Sequence, residues 1–158
     1  MKKAQSVPDK ENAMQGLPHD YNATATATTK SLVTASIEGQ PDLTLAPPSG
    51  FGGPGDIHSP EDLQVAAVAS CFILSFKAIA AASKLDWESL EVKVAGTLAQ
   101  VDRAIQFTGF TTHARLELPA GSSHNKAERL LERAEQSCFI TSSLKGESTL
   151  KTELIGGE

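Results

Sequence analysis

Apolar and polar residues alternate along the first third of the chain. Residues 22–28 alternate strictly, and residues 33–37 repeat the same period after a short break. A period of two is typical of a β-strand, because successive side chains point to opposite faces of the sheet. Residues 39–42 have the composition of a turn, and residues 43–45 begin another alternating segment. This part of the chain therefore predicts an antiparallel meander of three strands.

A helix is predicted after a loop at residues 47–55 that is rich in proline and glycine. Ser59 has the side chain of an N-cap, and Pro60 suits the first helical position. Glu61 and Asp62 place two carboxylates in the first turn, where the positive end of the helix dipole favours them. These four residues mark the start of the helix clearly.

This first helix is predicted to continue to about Lys84 and is apolar on nearly all sides. Its longest apolar run, residues 65–76, is too short to span a bilayer and is followed directly by Lys77. A helix that is apolar nearly all round must be covered on most sides. Because one small sheet covers one face only, we expect a second subunit to cover the rest.

The strand period returns in the second half of the chain. Residues 90–98 and about 105–118 predict two strands joined by a turn near Asp102–Arg103, and residues 148–155 predict a last strand. A second helix is predicted to begin at residues 123–125. Its apolar residues fall on one helical stripe: Ala127, Leu130, Leu131, Ala134 and Cys138.

The predicted order of elements is βββ-α-ββ-α-β, an α+β fold. Residues 20–158 are expected to form a single domain. Residues 1–19 are polar and have no clear period, which predicts a flexible leader.

Composition and charge narrow the function classes. The 158 residues carry a net charge of −5 with acidic and basic residues mixed, so a nucleic-acid partner is not expected. The N-terminus lacks the long apolar core of a signal peptide, and we expect a cytoplasmic protein that does not enter a membrane. The two cysteines and four scattered histidines have no zinc-ligand spacing, so no metal site is expected.

The residues that can carry chemistry are the two cysteines and the first-turn glutamate. Cys71 lies ten residues beyond Glu61, too far from the positive helix end to be activated by it, and needs a nearby cation to be reactive. Cys138 meets Cys71 if the two helices pack together. Spacing alone leaves two readings open: a reactive pair of thiols, or two ordinary buried cysteines. Glu61 is equally consistent with a purely structural role at the helix start.

The segment from Ser59 to Phe72 resembles the signature of the osmotically inducible protein C and organic hydroperoxide resistance family. In that signature a Pro-Glu pair is followed by Leu, Ala-Ala and Cys-Phe, as here. Residues 134–138, Ala-Glu-Gln-Ser-Cys, resemble the second family motif, and residues 21–25 and the Gly52–Gly53 loop match in order and distance. The resemblance extends from about Tyr21 to Ile155.

The resemblance implies a thiol peroxidase. Cys71 matches the peroxidatic cysteine, Cys138 matches the resolving cysteine, and Glu61 matches the carboxylate that holds a catalytic arginine. The family implies organic hydroperoxide substrates, a dithiol reductant such as a lipoyl group, and no metal or nucleotide cofactor. It also implies an intertwined homodimer in which antiparallel sheets wrap around the long central helices.

This chain departs from the family pattern at the catalytic arginine. At that place it has Thr28, Thr29, Lys30 and Ser31, and its first arginine is Arg103. Lys30 is the expected substitute, with Arg103 or Arg115 as alternatives, although a lysine lacks the planar two-pronged contact of an arginine.

The second motif also departs from the family pattern. The family histidine is Glu135 here, and the proline after the second cysteine is Phe139. A carboxylate beside Cys138 is expected to disfavour its thiolate. The alternative function is a non-catalytic ligand-binding or redox-sensing protein of the same fold, with the ligand in an apolar cleft near the Gly52–Gly55 loop.

Overall fold

The computed structural model describes residues 16–158, and most of the predicted leader lies outside these described residues. The chain divides into two compact units with the boundary after Thr44. Strands β1 (Thr24–Thr26), β2 (Val33–Ser36) and β3 (Leu43–Leu45) form one sheet in that order. The first two strands are antiparallel, as the predicted meander requires.

The second unit contains the helices and the larger sheet. After a short 3₁₀ helix at Ser49–Phe51, its elements follow in the predicted order, with one additional short helix, α3. They are α1 (Pro60–Ala82), β4 (Ser89–Val101), β5 (Ala104–Leu118), α2 (His124–Gln136), α3 (Phe139–Ser142) and β6 (Glu147–Gly156). The α+β class and the element order are confirmed.

The larger sheet has the order β4-β5-β6 and is mixed rather than fully antiparallel. Strands β4 and β5 form an antiparallel hairpin whose turn includes Asp102 at a φ of 55°. Strand β6 pairs with β5 in parallel, from Gly109 opposite Glu147 to Leu118 opposite Gly156. The chain crosses over through α2 and α3 between these strands, and such a crossover is what a parallel pair requires.

The core lies between α1, α2 and the inner face of the larger sheet. The ring of Phe76 packs edge-on against Trp87, with ring centroids 5.5 Å apart. The buried cluster includes Phe72, Phe76 and Ala80 of α1, Ala114, Leu116 and Leu118 of β5, and Ala127, Leu130, Leu131 and Ala134 of α2. The stripe predicted for the second helix therefore faces the core.

The start of α1 is fixed by a reciprocal capping box. The Ser59 hydroxyl accepts a hydrogen bond from the Asp62 backbone N–H, and the Asp62 carboxylate accepts one from the Ser59 N–H. The hydrogen bonds from Ser59 lower the pKa of the Asp62 carboxyl below its ordinary value. The caps predicted from Ser59 and Pro60 are confirmed, and α1 ends at Ala82 instead of Lys84.

One side of α1 is not covered by the other elements of its own unit, residues 45–158. Leu74 is 66% exposed, and residues one turn to either side of it are exposed as well. By length and composition α1 is sufficient to cross a bilayer, which the shorter apolar run at residues 65–76 did not predict. Buried helices of soluble proteins pass the same test. Residues 45–158 therefore leave an apolar side of α1 exposed.

Candidate active site

Cys71 lies in the middle of α1, directly before the buried Phe72. Its thiol is half-buried and not in a disulfide. This placement agrees with the predicted position inside a long apolar helix. Because Cys71 is only partly buried, a small molecule can approach its side chain.

Cys138 lies at a break between two helices, not inside the second helix as the apolar stripe predicted. Helix α2 ends at Gln136, and Cys138 is the extended N-cap residue of α3, with φ −67° and ψ 112°. The last turn tightens, because the Cys138 N–H bonds the Glu135 carbonyl three residues back. Its side chain still lies on the same side as the apolar stripe of α2 and is fully buried.

The structure brings the two thiols together. Burial raises the pKa of the Cys138 thiol above its ordinary value, and a hydrogen bond and charge interaction with Cys71 raise it further. The Thr141 hydroxyl opposes both effects by donating a hydrogen bond to the Cys138 sulfur at 3.2 Å. Two adjacent free thiols, one half-buried and one fully buried, can form a disulfide when an oxidant reaches the first.

Glu61 lies in the first turn of α1 with one carboxylate oxygen, Oε2, buried and without a partner. A buried carboxylate oxygen is costly to leave unpaired. Asp62, not Glu61, supplies the side chain of the capping box. The helix start is therefore complete without Glu61, and its carboxylate is available to hold a cation.

The candidate cations are all exposed. Lys30 lies in the turn between β1 and β2, and Arg103 lies in the turn between β4 and β5. Arg115 is on the outer face of the larger sheet, with its Nε 3.6 Å from Glu153 Oε1. Within its own chain Arg115 therefore points away from the core that holds Cys71. Lys30 as the activating residue stays a prediction of the resemblance.

Glu135 is not among the groups that raise the pKa of Cys138, although the sequence predicted that its carboxylate would disfavour the thiolate. Its carboxylate accepts a hydrogen bond from the Ser148 hydroxyl of β6, while its second oxygen is buried without a partner. The raised pKa of Cys138 comes from burial and from Cys71. Glu135 thus joins α2 to the last strand.

Two other features of the described part of the chain bear on ligand binding. Residues 16–158 contain no group of three or more His, Cys, Asp or Glu side chains arranged to hold a metal ion. An open groove of about 380 Å³ lies in the N-terminal unit, not at the Gly52–Gly55 loop where the alternative function placed a cleft. Its lining residues are Asp20, Tyr21, Asn22, Ala23, Ile37 and Glu38.

Comparison with known proteins identifies relatives for most of the chain. The sequence model of a family described as OsmC-like protein matches residues 53–153. The chain is 24% identical over 147 residues to the uncharacterized protein YmaD of Bacillus subtilis (strain 168), an alignment that covers 89% of this chain and 92% of that protein.

Solved structures share the fold. An OsmC-like protein of unknown function from Vibrio cholerae superposes with a TM-score of 0.75 at 20% identity, over 85% of this chain and 99% of that chain. An organic hydroperoxide resistance protein OsmC from Legionella pneumophila superposes with a TM-score of 0.70 at 24% identity, over 89% and 99%. At these identities the likeness shows the fold and does not assign the activity.

Proposed function

Because this chain belongs to the OsmC-like protein family, we propose that it is a cysteine-based thiol peroxidase that reduces organic hydroperoxides. The observation that carries the proposal is a pair of free thiols, one half-buried and one fully buried, placed so that Cys71 raises the pKa of Cys138. The name of the Legionella pneumophila structure, an organic hydroperoxide resistance protein, supports the substrate class.

The first step uses Cys71. Its thiolate attacks one oxygen of the hydroperoxide, the O–O bond breaks, and the departing alkoxide takes a proton and leaves as an alcohol. Cys71 becomes a sulfenic acid. The half-buried position suits this role, because a small oxidant must reach the sulfur, and the residues on either side of Cys71 in α1 are mostly apolar. Those surroundings also favour an organic hydroperoxide over hydrogen peroxide.

The second step uses Cys138. Its sulfur attacks the Cys71 sulfenic acid, an S–S bond forms, and the hydroxyl group leaves with a proton as water. A dithiol of the lipoyl type then exchanges with the disulfide, becomes oxidised itself and restores both thiols. Neither step requires a metal or a nucleotide.

The remaining assignments follow the family resemblance. Glu61 holds a cation that stabilises the Cys71 thiolate, and Lys30 supplies that cation in place of the family arginine. The buried, unpartnered oxygen of Glu61 supports the first part of this assignment. The protein acts in the cytoplasm as a homodimer, and the exposed side of α1 supports the dimer.

Hydroperoxide consumption tests the proposal. With dihydrolipoamide as reductant, we expect the protein to consume tert-butyl hydroperoxide faster than hydrogen peroxide, and a Cys71→Ser variant to lose this turnover. Intact mass after one equivalent of peroxide should fall by about two protons, the signature of a disulfide. Turnover no faster than that of the Cys71→Ser variant would refute the peroxidase.

A redox sensor of the same fold is the second candidate. The observation that favours it is the position of the cations, because Arg103 and Arg115 are exposed and no arginine precedes them in the chain. A sensor forms the same disulfide but is reduced slowly by every dithiol. A non-catalytic binding protein would instead keep both thiols unchanged in mass after one equivalent of peroxide.

A further inference from the structure

We propose that Thr141 is a positioning residue for Cys138, whose hydroxyl holds the sulfur toward Cys71 and stabilises its thiolate during disulfide formation. The role in disulfide formation rests on the proposed function. The contact that carries it is the hydrogen bond from Thr141 Oγ1 to Cys138 Sγ, 3.2 Å long and partly buried.

The choice of acceptor distinguishes Thr141 from other helical hydroxyls in this protein. Hydroxyls in helices commonly bond the carbonyl four residues earlier. Ser137 does so with Arg133, Ser142 with Cys138, and Ser143 with Phe139, at 2.7–2.8 Å. Thr141 lies among them and bonds a sulfur three residues earlier. Sulfur is a weak acceptor as a thiol and a much stronger one as a thiolate.

The surroundings make this donor important. The Cys138 sulfur is fully buried, so its thiolate is poorly solvated and its pKa is raised. Of the titratable groups that pack against it, Cys71 on α1 also raises its pKa, and Glu135 on α2 bonds Ser148 of β6 instead. The hydroxyl and backbone of Thr141 are the groups that lower it.

The contact between Thr141 and Cys138 lies at the break between α2 and α3. As N-cap of α3, Cys138 presents its side chain toward the first turn of that helix, where Thr141 is the third residue. Residues three apart are neighbours on a helical turn, so the Thr141 hydroxyl is within reach of the Cys138 sulfur.

The role appears in the step that forms the disulfide. As Cys138 attacks the oxidised Cys71, the S–S bond forms, water leaves, and the Cys138 sulfur loses its negative charge. When a dithiol later attacks Cys71 of the disulfide, the S–S bond breaks and Cys138 leaves as a thiolate. Thr141 stabilises that leaving group with the same hydrogen bond.

Three variants separate the hydroxyl from the shape of the side chain. Thr141→Val removes the hydroxyl with nearly the same volume, and Thr141→Ser keeps it. Ser142→Ala is the matched control, because it removes a hydroxyl that bonds the Cys138 carbonyl instead of the sulfur. Titration of thiolate absorbance in a Cys71→Ser background gives the pKa of Cys138 without any peroxide chemistry.

We expect Thr141→Val to raise the pKa of Cys138 by about one unit, Thr141→Ser to restore it, and Ser142→Ala to leave it unchanged. With both cysteines present, one equivalent of hydroperoxide should give disulfide about threefold more slowly in Thr141→Val at neutral pH. A tenfold loss of thiolate is partly offset, because a more basic thiolate is a better nucleophile.

The Cys138 titration and the disulfide assay separate failure of this proposal from failure of the proposed function. Equal effects of Thr141→Val and Ser142→Ala would show a structural role and overturn the proposal, as would an unchanged titration in Thr141→Val. A wild-type protein that forms no disulfide would refute the peroxidase chemistry and the role in resolution, while the titration would still decide whether Thr141 sets the charge of Cys138.

Discussion

Individual residues set the charge of the two thiols in different ways. Cys138 is fully buried and touches Cys71 and Thr141, whereas Cys71 is half-buried. A buried thiol holds its proton to a higher pH than an exposed one. The effect of pH on folding should therefore depend on Cys138.

The first prediction concerns alkaline pH. The pKa of Cys138 is raised above its ordinary 9.0 in the folded protein, so above about pH 9 the unfolded chain loses this proton first. The free energy of unfolding should then fall by up to about 1.4 kcal/mol per pH unit. Urea unfolding between about pH 8 and about pH 10 measures this. Cys138→Ala should lack that part of the fall, and equal slopes in both proteins would contradict the assignment.

The second prediction concerns the activating cation. If Lys30 stabilises the Cys71 thiolate, Lys30→Met should slow alkylation of Cys71 by iodoacetamide about tenfold at neutral pH, while Lys30→Arg should retain or increase the rate. Mass spectrometry follows the reaction at Cys71 in a Cys138→Ala background. Unchanged rates in Lys30→Met would direct attention to Arg103 or Arg115 of a second subunit.

Sequence reasoning predicted the positions of the two cysteines better than it predicted their neighbours. The motif placed Cys71 in α1, and it lies there. The apolar stripe placed Cys138 in the core, and its side chain is fully buried. The break before Cys138 was missed because an apolar stripe keeps its phase across one extended residue. The partners of Glu135 and Cys138 were missed because hydrogen bonds with Ser148 and Thr141 leave no periodic pattern.

Helices and strands were predicted where local signals are strong. The start of α1 was predicted correctly because Ser59 and Pro60 act on adjacent backbone groups. The parallel direction of β6 was not predicted, because alternation reveals a strand but not the direction of its partner. That direction follows from the crossover through α2 and α3, a property of several elements together.

The third prediction concerns the loop before α1. A methyl group at Gly53 would lie 1.6 Å from the Pro47 carbonyl oxygen, so the two backbone segments must separate to admit it. Gly53→Ala should lower the free energy of unfolding by about 1–3 kcal/mol, the usual range for overpacking. A methyl at Gly50 would meet nothing within 4 Å, so Gly50→Ala is the control. Equal free energies of unfolding for Gly53→Ala and Gly50→Ala in urea would contradict the prediction, because they would show that the loop rearranges at no cost.

At the scale of the molecule, the apolar helix α1 is exposed on one side within residues 45–158. The inner side of this helix fills the core, while Leu74 on the opposite side is exposed. A second copy of the chain or a lipid bilayer can cover such a surface. The charges of the capping carboxylates and of Lys77 support the proposed second copy over a bilayer.

The fourth prediction tests that cover. Leu74→Glu places a charge on the exposed side of α1 and should convert a dimer into monomer in sedimentation experiments without detergent. Thr149→Glu adds the same charge on the outer face of β6 and should leave the dimer intact. A wild-type protein that sediments as monomer, or that partitions into lipid vesicles, would contradict the dimer.

The contact between Cys71 and Cys138 joins positions far apart in the sequence, with the β4–β5 hairpin and α2 between them. A disulfide there would close a loop of about 67 residues and remove much of the freedom of the unfolded chain, worth about 4 kcal/mol. One equivalent of hydroperoxide should therefore raise the melting temperature by about 10 °C, and a Cys71→Ser variant should not respond. After exposure to an oxidant, the protein would therefore keep a raised melting temperature until a dithiol reduces the disulfide.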